Sequence, residues 1–179
     1  IPNAVPVPSE PVAPVEDPAS LVFVGRLNVE KGLNVLLRAL PELRRIDDRV
    51  RLDVVGDGPD EVEFRRLATE LGLDAVVRFS GRLDRHEVVR AMDGAAVVVV
   101  PSRPLPTFTE SFCLVALEAA LRARPVVASD IDGLPETVED GVSGLLVPPE
   151  DPAALAAAVG RLVGDHELGG RLGRQGRER

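Results

Sequence analysis

Short apolar runs and longer segments with helical spacing alternate six times along this chain. Residues 21–25 (Leu-Val-Phe-Val-Gly) form an apolar run closed by glycine, as expected of a strand buried on both faces. After a loop at 26–32, Leu33, Leu36, Leu37 and Leu40 recur at three- and four-residue spacing and predict a helix. A second unit follows, with a strand at 52–55, a turn at 56–59 and a helix to about Leu71. The third has a strand at 76–79, a turn at 80–82 and a helix from Asp84, a good N-cap, to Met92. Residues 95–100 are the most β-rich stretch and lead through a proline-rich loop into a helix predicted to start near Ser111. A fifth strand is predicted at 125–128, then a Gly/Pro turn at 130–135 and a short helix. A sixth strand is predicted at 144–147. Asp151-Pro152 opens a helix by the cap-then-proline rule, and a last helix from about Asp165 carries glycines that weaken it.

Regular alternation of this kind predicts an α/β fold. The expected form is a Rossmann-like, doubly wound, six-stranded parallel sheet in three α/β/α layers, with ligands at the carboxyl ends of the strands. Residues 1–19 hold six prolines and read as an extended linker, so the domain proper is expected over 20–179. A chain of 179 residues suffices for one such domain with a full core.

The most informative stretch is Glu110-Ser-Phe-Cys-Leu-Val-Ala-Leu-Glu118. Between Phe112 and Leu121 every residue but Glu118 is apolar or small, which predicts a helix buried on all sides. A carboxylate there is costly unless it is paired or faces a cleft, and nothing nearby in sequence supplies a partner. The proline-rich loop at 101–106 forces the helix to start close to Glu110, so its free N–H groups and positive dipole end open between two acids. Backbone donors suit phosphate and the acids suit hydroxyl groups, which outlines a sugar–diphosphate–ribose site. For Glu110 a capping box with Thr107 is an equally good reading.

Composition narrows the classes. Net charge is −8 and neither Trp nor Tyr occurs, which disfavours a nucleic-acid binder with its basic patch and stacking aromatics. No apolar run reaches the ~18 residues of a membrane span. No stretch reads as a signal peptide, and the single cysteine, Cys113, fits a reducing compartment, so a cytoplasmic location is expected. Cys113 is expected to be a small buried helix residue. The chain has twenty arginines and one lysine, Lys31, a bias that suggests a GC-rich bacterial genome. A lysine kept against that bias suggests a site needing a compact point charge. Lys31 shares the loop after the first strand with Arg26, where a dianion would need local cations in an acidic protein. The plain alternatives are a helix-start cap for Lys31 and a pair with Glu30 for Arg26.

Other motifs say less. Gly56-Asp-Gly58 followed by Glu61 lacks the third glycine of a dinucleotide fingerprint and follows the second strand, not the first. Asp130 and Asp132 could be read as a metal pair, but they sit in a Gly/Pro turn where Asp serves turn hydrogen bonds. His86 and His166 lie in polar helix-start contexts and are expected at the surface.

Taken together, Val24-Gly-Arg26-Leu with Lys31-Gly32, Val55-Gly-Asp-Gly-Pro59, Pro101-Ser102, Glu110-x7-Glu118, Gly133-Leu-Pro-Glu136 and Gly141-x-x-Gly144-Leu-Leu-Val resemble one family. It is the C-terminal, donor-binding domain of retaining glycosyltransferases of the group 1 type (family 4, GT-B architecture), and the likeness runs from about Leu21 to Val163. The resemblance implies that Arg26 and Lys31 hold the donor diphosphate and offset leaving-group charge, and that Glu110 bonds sugar hydroxyls. It places the backbone at Ser111, Phe112, Cys113 and Leu114 against the sugar–diphosphate and Glu118 on the ribose. Gly25 and Gly58 would line the donor site, with Arg82 beside the base. The nucleotide-sugar is a co-substrate, and no obligatory metal or other cofactor is implied.

Two departures stand out. Asp132 occupies a position where many members have glycine, and the chain contains only one of the two Rossmann-like domains of the family's enzymes. Ile1-Pro-Asn, with Ala4 in place of glycine, is similar to the family's interdomain Ile-Pro-Asn-Gly. The family's enzymes place the active site between two such domains, so this chain is expected to be the donor half, with the acceptor domain absent. Any membrane association would come through that missing domain, and the chain alone would bind donor without turnover. A nucleotide-sugar epimerase shares the architecture but would act on donor alone. A non-catalytic nucleotide-binding module would show no transfer even beside a first domain.

Overall fold

A computed structural model describes residues 14, 15, 17–106 and 113–179. Six strands form one sheet: β1 (Ser20–Val24), β2 (Arg51–Val55), β3 (Val77–Gly81), β4 (Val97–Val100), β5 (Val126–Ser129) and β6 (Gly144–Val147). Their order is β3-β2-β1-β4-β5-β6 and every pairing is parallel, as the alternating pattern predicts. The chain winds outward in one direction from β1 and in the other from β4. Between the carboxyl ends of those two strands lies the crevice at which doubly wound sheets bind ligands.

Among the described residues seven α-helices cover the sheet: α1 (Leu33–Ile46), α2 (Glu61–Glu70), α3 (Arg85–Gly94), α4 (Leu114–Leu121), α5 (Leu134–Thr137), α6 (Pro152–Gly164) and α7 (His166–Glu178). The strand period of two splits the core between the two faces. Leu21, Phe23, Val97 and Val99 point into one layer with Leu36, Leu40, Phe64, Leu155 and Val159 of α1, α2 and α6. Val22, Val98 and Val126 point into the other with Met92, Ala116, Ala119 and Leu134 of α3, α4 and α5. Burial of β4 and β5 at every position explains why those runs read as continuous, not alternating, apolar sequence.

The caps hold as the sequence suggests. Asp84 accepts from the Glu87 N–H at 2.8 Å while Glu87 accepts from the Asp84 N–H at 2.9 Å, a complete capping box. Asp151 Oδ1 accepts from the N–H groups of Ala153 and Ala154, with Pro152 in the first turn. Three details differ. The last residue assigned to the linker, Ala19, is fully buried in the core beside the start of β1, whereas residues 1–13 and 16 lie outside the described residues. β3 continues to Gly81, whose φ of +70° ends it. And α7 is a full 13-residue helix despite its glycines. Gly169, Gly173 and Gly176 recur at helical spacing on one side, and a Cβ at Gly173 would lie 2.1 Å from the Ala123 carbonyl oxygen. The missing side chains are what let α7 dock; their cost in helix propensity is offset by that packing.

The end of α1 carries a pH-sensitive contact. Asp47 Oδ1 accepts from the Arg49 Nε at 3.0 Å and the Arg49 N–H at 2.9 Å. The Arg49 guanidinium, then its backbone N–H, lowers the Asp47 pKa from 3.8 to about 2. A depressed carboxyl stabilises the fold above its unfolded value and loses that contribution as pH falls through the folded one. Asp47→Asn is therefore expected to lower the thermal midpoint at pH 6 by a small amount. The difference from wild type should shrink between about pH 4 and pH 2 and vanish below, as read by circular-dichroism melts across that range.

Candidate functional site

The loops at the carboxyl ends of β1, β2 and β3 are stitched backbone to backbone. The Gly25 N–H donates to the Val55 carbonyl at 3.0 Å, the Leu27 N–H to Asp57 at 2.8 Å, the Asp60 N–H to Leu27 at 3.0 Å and the Gly56 N–H to Gly81 at 2.8 Å. Such close approach needs glycine. A Cβ on Gly56, at φ +134°, would lie 1.9 Å from the Gly25 oxygen, and one on Gly58 2.3 Å from the Leu27 oxygen. The Gly56-Asp-Gly58 turn is thus explained by loop packing, which a dinucleotide fingerprint does not require.

Above these loops lies a cavity of about 880 Å³ lined by Val24, Gly25, Arg26, Val55 to Pro59, Glu61, Arg82, Leu83 and Val88. Four of the predicted residues, Gly25, Arg26, Gly58 and Arg82, meet here. Glu61 is neutralised by Arg65, whose Nε donates to it at 2.9 Å. Arg26 and Arg82 are exposed, and among the described residues neither side chain makes an ion pair or hydrogen bond. The expected alternative for Arg26 does not occur, because Glu30 accepts from the Asn28 amide at 2.6 Å instead. Two uncompensated guanidinium groups over a cavity suit an anionic ligand.

A second, smaller cavity of about 50 Å³ abuts the first at Val24 and Gly25. Phe23, Lys31, Val99, Val100, Ser102, Cys113 and Val115 complete its lining, so it sits at the β1/β4 switch point. Lys31 closes a 3₁₀ turn, Val29–Lys31, and Gly32 at φ +70° follows as the N-cap of α1. Lys31 therefore does not cap α1; its half-buried side chain lines the small cavity.

The helix organising the sequence reading is shorter than expected. Cys113, with extended φ −89° and ψ 94°, is the N-cap, and α4 begins at Leu114. The Leu117 N–H makes the first intrahelical bond, to the Cys113 carbonyl, which leaves the N–H groups from Cys113 to Ala116 without helical partners. Of the predicted backbone donors, Cys113 and Leu114 are at the helix start. Glu110, Ser111 and Phe112 lie outside the described residues.

Full burial of α4 is also corrected. Only Ala116 and Ala119 are buried, Leu114 is 45% exposed and Glu118 is half-buried. The helix lies on the sheet by Ala116 and Ala119 and leaves Leu114 outward, with Val115, Leu117 and Leu121 only partly covered, so uniform apolarity here does not signal enclosure. Among the described residues the Glu118 carboxylate has no ion pair or hydrogen bond, and it lines neither cavity. The nearby arginines are engaged elsewhere: Arg122 Nε donates to Asp93 at 2.6 Å, and buried Arg124, whose pKa burial lowers, lies beside that pair.

Asp132 stands at φ +48°, a backbone state that glycine adopts freely and Asp tolerates better than most residues. The departure from the family's glycine keeps the turn. Asp57, Glu61, Leu83 and Val88 also line the large cavity; Asp57 and Glu61 carry a sequence signal, as parts of the Gly56-Asp-Gly58-x-x-Glu61 pattern, and Leu83 and Val88 carry none. His86 and His166 are exposed as expected.

Comparison with known proteins agrees with this geometry. The family model for glycosyl transferases group 1 matches residues 9–179. Glycogen synthase of Mycobacterium tuberculosis is 38% identical over 166 residues, covering 93% of this chain and 39% of that protein. D-inositol 3-phosphate glycosyltransferase of Corynebacterium jeikeium is 44% identical over 153 residues, 82% of this chain and 35% of that protein. The crystal structure of Anabaena HepE in complex with UDP and glucose superposes with a TM-score of 0.80 at 28% identity, covering 92% of this chain and 44% of that one. The chain thus spans about two-fifths of the length of the curated relatives it matches. It belongs to the group 1 glycosyl transferases, as a Rossmann-like domain of the kind that forms the C-terminal half of the GT-B architecture.

Proposed function

We propose that this chain is the donor-binding half of a retaining glycosyltransferase, which moves a sugar from a UDP-, GDP- or ADP-sugar to an acceptor held by a second domain of the same protein. One observation carries the reading: an open cavity with two arginines that have no partner among the described residues runs into a narrow crevice at the sheet's switch point, where Lys31 and the amino end of α4 meet. The wide part suits a nucleoside and the narrow part a diphosphate. Arg82 lies by the base, and Gly25 and Gly58 keep the floor free of side chains. Arg26, Lys31 and the N–H groups at the start of α4 hold the diphosphate, with Ser111 and Phe112 continuing that backbone. Glu118 takes the ribose hydroxyls and Glu110 the sugar hydroxyls.

As the glycosidic bond breaks, negative charge develops on the departing diphosphate, and Arg26 and Lys31 stabilise it where it forms. Their contribution requires no obligatory metal. With the acceptor on another domain, the chain alone binds donor but gains nothing from proximity of the two reactants, so it turns over little or not at all. HepE, seen with UDP, supports a nucleotide-sugar donor; the names of the two relatives, one a glycogen synthase and the other a D-inositol 3-phosphate glycosyltransferase, are in keeping with an acceptor chosen outside this domain.

Calorimetric titration with UDP-, GDP- and ADP-glucose tests the assignment. One donor is expected to bind at least about tenfold more tightly than the others, which requires only ~1.4 kcal/mol of base discrimination. Glu118→Ala is expected to weaken that donor, and no heat from any of the three at millimolar concentration, with Glu118→Ala unchanged, would sink the site.

A further inference from the structure

Arg103 joins three of the loops at the ligand edge. Its backbone N–H donates to the Glu30 carbonyl at 2.8 Å. Its Nε donates to Glu150 Oε1 at 2.7 Å, and a second guanidinium N–H bonds the same carboxylate. Its stem packs on Gly32: a Cβ there would lie 3.3 Å from Arg103 Cγ and 1.8 Å from the Pro101 carbonyl oxygen. Glu150 is itself held at φ +58°, in the left-handed region, in the turn between β6 and α6. Arg103 is only 20% exposed and its partner 47%. The loop after β1 that carries Lys31, the loop after β4 and the turn after β6 are therefore joined at one residue, the first through its backbone N–H and stem and the last through its guanidinium.

We infer that Arg103, held by Glu150, is a positioning residue that fixes the Lys31 loop against the β4 loop and so sets the place of the Lys31 ammonium in the switch-point crevice. Arg103 does not line either cavity at that edge and its guanidinium is occupied by Glu150, so it acts through Lys31 and not on ligand. The pair bridges residues 47 apart in sequence. A planar guanidinium suits the task because it donates two N–H groups to one carboxylate while its backbone and stem hold the other two loops. This inference rests on the donor-site reading given above.

The test is a double-mutant cycle on UDP, GDP and ADP affinity, measured by calorimetry on the whole chain. Arg103→Ala is expected to weaken the tightest of the three diphosphates about tenfold in the Lys31 protein and less than twofold in Lys31→Ala, the signature of residues that act as one unit. Glu150→Gln, which keeps the turn and its volume, should reproduce most of the loss, and Arg103→Lys should restore only part of it. An Arg103→Ala loss of under twofold beside a large Lys31→Ala loss overturns the positioning role and leaves the donor site standing. An equal loss in both backgrounds also overturns it, since Arg103 would then act independently of Lys31. If Lys31→Ala itself changes nothing, the donor-site reading falls and this inference with it. Should Arg103→Ala fail to fold, Glu150→Gln alone carries the same cycle.

Discussion

Gly56→Ala is expected to cost about 2–5 kcal/mol of folding stability, the sum of a left-handed backbone penalty and a steric clash that backbone alone must absorb. The residue sits at φ +134°, and a Cβ would be driven to 1.9 Å from the Gly25 carbonyl oxygen. Neither obstacle is the flexible end of a side chain. Relief would require β1 and β2 to part where the Gly25 N–H meets the Val55 carbonyl at 3.0 Å. A natural domain has only about 5–15 kcal/mol to lose. Gly72→Ala is the control, because that glycine also has a positive φ, +69°, but has no atom within 4 Å of the added Cβ. It is expected to cost about 1 kcal/mol, the backbone term alone. Urea unfolding of the two variants beside wild type separates the terms. Equal losses would show that the loop stitching contributes nothing beyond local conformation.

Those same stitches mark where sequence stops being legible. Strand and helix order could be read because period and punctuation are local: Leu33, Leu36, Leu37 and Leu40 describe one helix face without reference to anything distant. Caps were legible for the same reason, since Asp84 and Asp151 satisfy N–H groups two or three residues away. Arg26 and Lys31 could be placed at the ligand edge because topology puts every loop after a strand there. What escaped depends on distant chain segments. The Gly56-Asp-Gly58 turn looks like a ligand loop in sequence, yet its glycines answer to Gly25 and Leu27. The glycines of α7 look like helix weakeners, yet Gly173 answers to Ala123. Apolarity of every α4 residue but Glu118 suggested full enclosure, but composition alone does not report whether another element covers Leu114. The Arg103–Glu150 pair has no local trace at all.

Replacing Lys31 with alanine is expected to weaken nucleoside-diphosphate binding by about ten- to a hundredfold, the loss of one charge-assisted contact worth ~1.5–3 kcal/mol. Lys31→Arg should recover little of it. The crevice it lines has a volume of about 50 Å³ and is bounded by Phe23, Val99, Val100 and Val115, so a bulkier planar guanidinium in place of the ammonium would intrude on the little space left for ligand. Arg26 stands at the rim of an open cavity of about 880 Å³, so Arg26→Lys should keep most of the affinity there. The asymmetry between these conservative exchanges is the prediction: two cations on one loop, of which only the enclosed one is intolerant of shape. The composition supplies a direct probe, since Lys31 is the one lysine among 179 residues. Reductive methylation with ¹³C-formaldehyde keeps the charge and leaves a single lysine side-chain resonance besides that of the α-amino group. That resonance should move on addition of UDP, GDP or ADP with the same dissociation constant that calorimetry gives for the tightest of them. A resonance unmoved by a diphosphate that binds would place the ligand away from the switch point. Recovery of wild-type affinity by Lys31→Arg would show that charge alone, and not the narrowness of the crevice, selects the residue at this position.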